Sequence, residues 1–291
     1  MTALHQTESR PRWTLRAGGK ELHVGPAPVI MGILNVTPDS FSDGGEFRDA
    51  DAAIARGIAM AEAGAEIVDV GGESTRPGAA DVPPDEEIER VVPVIKELAR
   101  RSDAVISIDT RKAEVAEAAL DAGAALVNDV SSLGDPDMKG LVARAGCPLV
   151  LMHMKGTPAT MQQAPAYQDV VAEVRDFLQG RIDAAAEAGI DPGQTIVDPG
   201  IGFGKTLVHN LELLRRLGAL RDLGRPILVG TSRKSFIGKI LHTEVDKRLM
   251  GTVASCVWAR ARGADIFRVH DVRQVREALT VIAAIENPSE C

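Results

Sequence analysis

One pattern of apolar and polar positions recurs along the chain. An Ala-rich stretch with helical spacing closes on Gly, a short β-branched apolar run follows, and the cycle begins again. "MAEAGAEIVDV" (60–70), "ALDAGAALVNDV" (119–130), "ARAGCPLVLMH" (143–153), "AAEAGIDPGQTIVDP" (185–199) and "ARGADIFRVH" (261–270) are five instances. Gly after a last helical turn is a stop signal because it accepts positive φ without cost. Runs that are apolar on both faces read as parallel strands buried on both sides. Completing the pattern predicts eight strands, near 29–34, 66–70, 104–108, 124–128, 148–152, 195–198, 226–230 and 265–269. Helical stretches of ten or more residues separate most of them. Eight alternating units without a break in composition predict an α/β chain, a single (β/α)8 TIM barrel over residues 13–287 behind a flexible tail, 1–12. "WTLRAGGKELHV" (13–24) reads as a β-hairpin turning at Gly18–Gly19 and plugging the bottom of the barrel.

Composition narrows the function classes. Of 291 residues, 45% are hydrophobic and only 3% aromatic, which suits helix–sheet layers and not a base-stacking surface. The net charge of −8 argues against a broad polyanion-binding face, so nucleic acid is excluded as a partner. No apolar run approaches membrane-spanning length, so no membrane span is expected. Cys147, Cys256 and Cys291 lack metal spacing and fit a reducing cytoplasm.

In a barrel the chemistry sits at the C-terminal ends of the strands. Those positions hold Asn35; Gly72 to Arg76; Asp109 and Arg111; Asn128 and Asp129; His153; Asp198; Ser232, Arg233 and Lys234; Arg268 and His270. Turn and cap requirements account for part of this set. They do not account for carboxylates Asp109 and Asp198 beside cations Lys234, Arg268 and His270. That mixture suits a ligand with both N–H donors and negative charge. Asp109 is read as a ligand contact, because Thr110 next to it supplies a capping hydroxyl. Alternation puts Arg268 and His270 on one side of the last strand, and an inward Arg needs an anion or carboxylate to meet it. Lys234 is favoured over Arg233 for the interior. His153 and Met152 read as packed barrel lining. "VDPGIGFGKT" (197–206) is not a P-loop, since Pro199 stands where that motif needs Gly. Phe203 within it serves equally as loop core or as a surface against a flat ring. "ILNVTPDSFSDGG" (33–45) is too long and too polar for a plain turn, yet carries Phe41; Asp39 is either a turn former or a contact.

Seven motifs in register, "MGILNVTPDSFSDGG", "GGESTRPG", "SIDTRK", "VNDVSS", "DPGIGFGK", "GTSRKSFIG" and "FRVHDV", make residues 29–284 resemble the dihydropteroate synthases. The resemblance implies a pterin-binding barrel that joins a dihydropterin-6-ylmethyl pyrophosphate to 4-aminobenzoate. It implies Mg2+ and a homodimer. Asp109, Asn128, Asp198 and Lys234 would hold the pterin. Asn35, Thr75, Arg268 and His270 would hold pyrophosphate, with Asn35 also the metal contact and His270 protonated. Phe41, Arg76, Pro77, Phe203 and Ser232 would border the 4-aminobenzoate pocket. Asp109, Lys234, Arg268 and His270 would be catalytic. Carboxylates facing pterin N–H groups make charge-assisted bonds of about 1.5–3 kcal/mol each. Two rivals are a methyltransferase-type pterin barrel, which has no use for the Arg–His pair or the arylamine loops, and a non-catalytic pterin binder, whose mark would be degraded loops where "TPDSFSDGG" and "STRPG" are intact.

Overall fold

The computed structural model describes residues 10–37, 46–74, 81–157 and 160–288. Two short strands, β1 (Trp13–Ala17) and β2 (Lys20–Val24), pair antiparallel with Leu15 opposite Leu22. Eight parallel strands follow: β3 (Val29–Asn35), β4 (Ile67–Gly71), β5 (Val105–Asp109), β6 (Leu126–Asp129), β7 (Leu149–Met152), β8 (Thr195–Asp198), β9 (Leu228–Val229) and β10 (Ile266–Val269). Each pairs with the next in sequence, and β10 returns to β3. Between β8 and β9 the closure rests on a single bridge, Val197 to Ile227, beside a bond from Val197 N–H to the Pro226 carbonyl at 3.0 Å. The expected (β/α)8 barrel with its N-terminal hairpin is therefore the observed fold. The strand expected over 226–230 shrinks to two residues. Pro226 has no N–H to add to a ladder.

The helices lie outside: α1 (Glu46–Glu62), α2 (Pro84–Arg101), α3 (Ala113–Asp121), α4 (Met138–Ala145), α5 (Val170–Glu187), α6 (Leu207–Arg215), α7 (Ser235–Leu241), α8 (Leu249–Ala261) and α9 (Val272–Glu286). Their boundaries follow local chemistry. Asp169 accepts from the Val171 and Ala172 amides to cap α5, and Thr206 with His209 forms a reciprocal cap on α6. Gly146 stops α4 in the left-handed conformation, as its place after "ARA" predicts. Among the described residues no helix is long and apolar enough to cross a membrane.

Two apolar cores result. Helices pack on the outside of the sheet through residues such as Leu34, Val68, Ile95, Ile108, Val174 and Phe267. A smaller core fills the lower barrel, where Met31, Ile67, Val105, Leu126, Val150, Ile196, Leu228 and Ile266 meet Leu15, Ala17, Leu22 and Val24 from the hairpin. Burying each such side chain contributes about 1.5–3 kcal/mol. The hairpin thus does plug the bottom. Its turn presses so close that a Cβ on Gly18 would lie 2.8 Å from the Ala125 Cβ. Arg10, placed with the tail by the sequence reading, reaches Glu286 at 2.8 Å and the Arg260 carbonyl at 2.5 Å. The plug closes one end, so substrate access is left to the other.

Candidate active site

Strand pleating sets what faces the barrel axis. Inward positions alternate, giving Ile67–Asp69–Gly71 on β4, Val105–Ser107–Asp109 on β5 and Ile266–Arg268–His270 on β10. The lower layer is apolar and the upper two are polar. On β5 and β10 the barrel axis therefore changes from oil to hydrogen-bonding groups within two residues.

Arg268 occupies the middle of that polar zone between two carboxylates. Its Nε donates to Asp69 Oδ2 at 2.6 Å, and its Nη2 donates to Asp109 Oδ2 at 2.5 Å. Burial alone would lower its pKa; Asp69 and Asp109 outweigh burial and raise it, so the cation is permanent. Asp109 Oδ1 is buried without a hydrogen-bond partner among the described residues. Burial pushes the Asp109 carboxyl up to about 7, opposed by Arg268 and reinforced by Asp69. Asn128 lies opposite Asp109 in the β5–β6 register and donates from Nδ2 to Asp69 Oδ2 at 3.0 Å. Asp69 completes its bonding by accepting from Ser107 Oγ at 2.6 Å.

Across the mouth, Asp198 is buried and accepts the Gly200 amide at 2.7 Å; burial raises its pKa. The loop after it is moulded by glycine. Gly200 has φ +65°, and a Cβ there would come within 1.9 Å of the His153 carbonyl oxygen. Lys205 fastens this loop from beneath, donating to the carbonyls of Gly200 and Phe203, each at 2.9 Å, and contacting His153 Nδ1 at 2.9 Å. Burial brings Lys205 down to about 7 and His153 down to about 3. His153 is thus packed lining, as the sequence reading has it. Above them Lys234 donates to the Ile201 carbonyl and lies 4.0 Å from the Phe203 ring centroid. Burial lowers Lys234 to about 8, partly offset by Asp198.

The remaining expected residues sort as follows. Ser232 Oγ lies 3.0 Å from His270 Nδ1 and accepts the His270 amide at 3.2 Å. The resemblance puts Ser232 on the arylamine side and His270 on the anion side, and the two touch. The expectation of a protonated His270 is corrected: burial, then the Arg268 and Arg233 charges, push its pKa down to about 3, so the ring is neutral. Arg233 is held outward by Asp271, at 3.0 Å from Nε, which leaves Lys234 as the inward cation. Asp129 serves its own turn, accepting from the amides of Ser131 at 2.8 Å and Leu133 at 2.5 Å. Arg111 turns to Glu73 and Asp81, and Lys112 to Glu87. Asn35 ends β3 beside Gly71 at the mouth. Phe41, Thr75, Arg76, Pro77 and Asp39 lie outside the described residues. Among the described residues no group of three or more His, Cys, Asp or Glu side chains could hold a metal ion. Asp69 escaped the sequence reading because "IVDVG" reads as a buried strand. The signal was its parity with the inward residues and the need of Arg268 for a carboxylate.

A parallel barrel with buried carboxylates, an amide and two cations around one mouth defines a polar site that can meet both N–H donors and negative charge. The pterin binding enzyme family matches residues 31–270. The chain is 49% identical over 263 residues to the dihydropteroate synthase of Synechocystis sp., covering 90% of this chain and 91% of that one. It superposes with a TM-score of 0.90 on the Xanthomonas albilineans dihydropteroate synthase solved with 4-aminobenzoic acid, at 47% identity, covering 95% and 99% of the two chains. The same enzyme in complex with 7,8-dihydropteroate gives 0.86 at 45% identity, covering 95% and 99%. The chain belongs to the pterin-binding enzymes, as a member of the dihydropteroate synthase family.

Proposed function

We infer that this chain is a dihydropteroate synthase, a transferase of folate biosynthesis. It condenses a dihydropterin-6-ylmethyl pyrophosphate with 4-aminobenzoate, releasing pyrophosphate and forming 7,8-dihydropteroate. The observation that carries the reading is Asp109 Oδ1, buried and without a partner among the described residues, at the same strand ends as buried Asn128 and Asp198 and half-buried Lys234. The dihydropteroate held by the Xanthomonas relative supports it.

In this reading Asp109, Asn128 and Asp198 receive the N–H edge of the pterin, and Lys234 meets its ring. Arg268 and neutral His270 donate to pyrophosphate. Ser232 donating to Nδ1 keeps the ring proton of His270 on Nε2 for that purpose. The methylene carbon–oxygen bond breaks, and its electron pair leaves on pyrophosphate. The cation is delocalised into the pterin, where Asp109 carboxylate stabilises it. The amine lone pair then forms the carbon–nitrogen bond, and the amine proton passes to solvent. Phe203, with Phe41, Arg76 and Pro77, borders the arylamine, and Thr75 adds to the anion site. Asn35 would hold Mg2+ through its hard amide oxygen. When bound, Mg2+ supplies charge that neutralises the leaving group.

The enzyme acts as a homodimer in the reducing cytoplasm. Exposed Val208 and Leu211 on α6, Ile240 and Leu241 on α7, and Met250 and Trp258 on α8 form neighbouring apolar faces suited to a second copy. Cys147 and Cys256 are buried free thiols, which fits that compartment. The test is oxygen-18 in the bridging position of the pterin substrate. The label is expected in released pyrophosphate, together with dihydropteroate. Label in a pterin alcohol, with no dihydropteroate formed, contradicts the mechanism.

A further inference from the structure

We propose that Asp69 is a positioning residue for the pterin: from beneath the pocket it fixes which atoms of Asn128 and Arg268 face the substrate. This rests on the function proposed above. Asp69 is fully buried and sits one pleat below Gly71, so it does not itself border the mouth. It gathers donors from three different strands: Ser107 on β5 at 2.6 Å, Asn128 on β6 at 3.0 Å and Arg268 on β10 at 2.6 Å.

The chemistry of a carboxylate makes this arrangement directional. An ionised carboxylate accepts and never donates. Asn128 must therefore turn its NH2 inward to Asp69, and its carbonyl oxygen is the amide atom left for an incoming N–H group. With a neutral amide at position 69, either face of the Asn128 amide would bond equally well, and the acceptor would no longer be assured. Arg268 is constrained likewise. Nε is engaged by Asp69 and one Nη2 proton by Asp109, which sets the plane of the guanidinium and leaves three of its five N–H groups for other acceptors.

Stability does not account for Asp69. A buried ion pair contributes little, and apolar replacement of such pairs is often neutral or stabilising. The layer just below is entirely apolar and packs well. A carboxylate here makes sense as a device that orients groups, and its substrate class is a ring edge rich in N–H donors.

The test compares Asp69→Asn with the parent chain. Affinity for 6-hydroxymethylpterin, which carries the ring edge without pyrophosphate, is expected to fall at least tenfold. KM for 4-aminobenzoate at saturating pterin substrate should stay within about twofold, and the acid limb of kcat/KM should move to lower pH as the Asp69 charge is removed. Pterin affinity within twofold of the parent overturns the proposal. So does an equal loss for both substrates, which would mean general loosening. If Asp69→Asn does not fold, Ser107→Ala decides. It removes one donor from Asp69 and leaves every residue of the mouth intact; pterin affinity should fall about threefold, and no change overturns the proposal. A parent chain that does not bind 6-hydroxymethylpterin at all would instead sink the functional reading.

Discussion

Arg268 and Asp109 are joined at 2.5 Å, while the second Asp109 oxygen has no partner among the described residues. One half of the carboxylate is committed to the protein, and the proposed function gives the other half to the pterin. Asp109→Asn should keep the fold, since the replacement is isosteric and Arg268 retains Asp69. It should lose the charge-assisted bond to the pterin and the stabilisation of the cation. The bond alone is about 1.5–3 kcal/mol, roughly 10- to 100-fold in kcat/KM. With the charge included, turnover should fall by at least about 100-fold. Steady-state kinetics with a matched melting temperature checks this; activity within a few-fold of the parent would show Asp109 misassigned.

The pH dependence follows from two groups in the mouth. In the proposed mechanism Asp109, near 7, is needed as the carboxylate, so activity should rise as pH increases through that value. Lys234, near 8, acts as the ammonium, so activity falls above it. A bell-shaped kcat/KM for the pterin substrate, with its maximum between the two, is expected of the free enzyme. Lys234→Arg should move the alkaline limb beyond pH 9. A profile flat from pH 6 to 9 would contradict both assignments.

Glu73 links pH to stability away from the chemistry. Burial would raise its pKa, but bonds from Arg111 and the Val82 amide, and the Lys112 charge, bring it down to about 2. A carboxylate held below its unfolded value stabilises the fold above that value, and the contribution is lost as pH falls from about 4.5 toward 2. Urea denaturation should show the parent losing more stability between pH 5 and pH 3 than Glu73→Gln does. Equal losses would mean that the Glu73–Arg111 contact does not form in solution.

Lys205 offers a packing test. Lys205→Met takes the side-chain donor away from the Phe203 carbonyl and leaves the Gly200 carbonyl with the Phe203 amide alone. Removing one partner from such a buried polar cluster costs about 2–5 kcal/mol. Thermal denaturation should report that loss, and KM for 4-aminobenzoate should rise because Phe203 rides on the same loop. A melting temperature within about 2 °C of the parent would remove Lys205 from the account of the loop.

Much of this was written in local pattern. Helix-stopping glycines and β-branched runs located all eight strands, and strand-end position placed Asp109, Asn128, Asp198, Lys234 and Arg268 around one mouth. What local pattern lacks is the partner. Ser232 and His270 lie 38 residues apart, and nothing near either announces the contact. Asp69 and Arg268 lie 199 apart, and their pairing depends on strand register around a closed barrel. The charge state of His270 depends on that same register, because Arg268 and burial together keep the ring neutral. Lys205 read as part of a failed P-loop; its work under the Phe203 loop appears only when the His153 segment folds against it.

The most direct measurement follows pyrophosphate release by the purified chain supplied with dihydropterin-6-ylmethyl pyrophosphate while 4-aminobenzoate is titrated. Release should saturate with the arylamine and match dihydropteroate formed, one for one. Release independent of 4-aminobenzoate, or without dihydropteroate, would contradict the assignment of this barrel as a synthase.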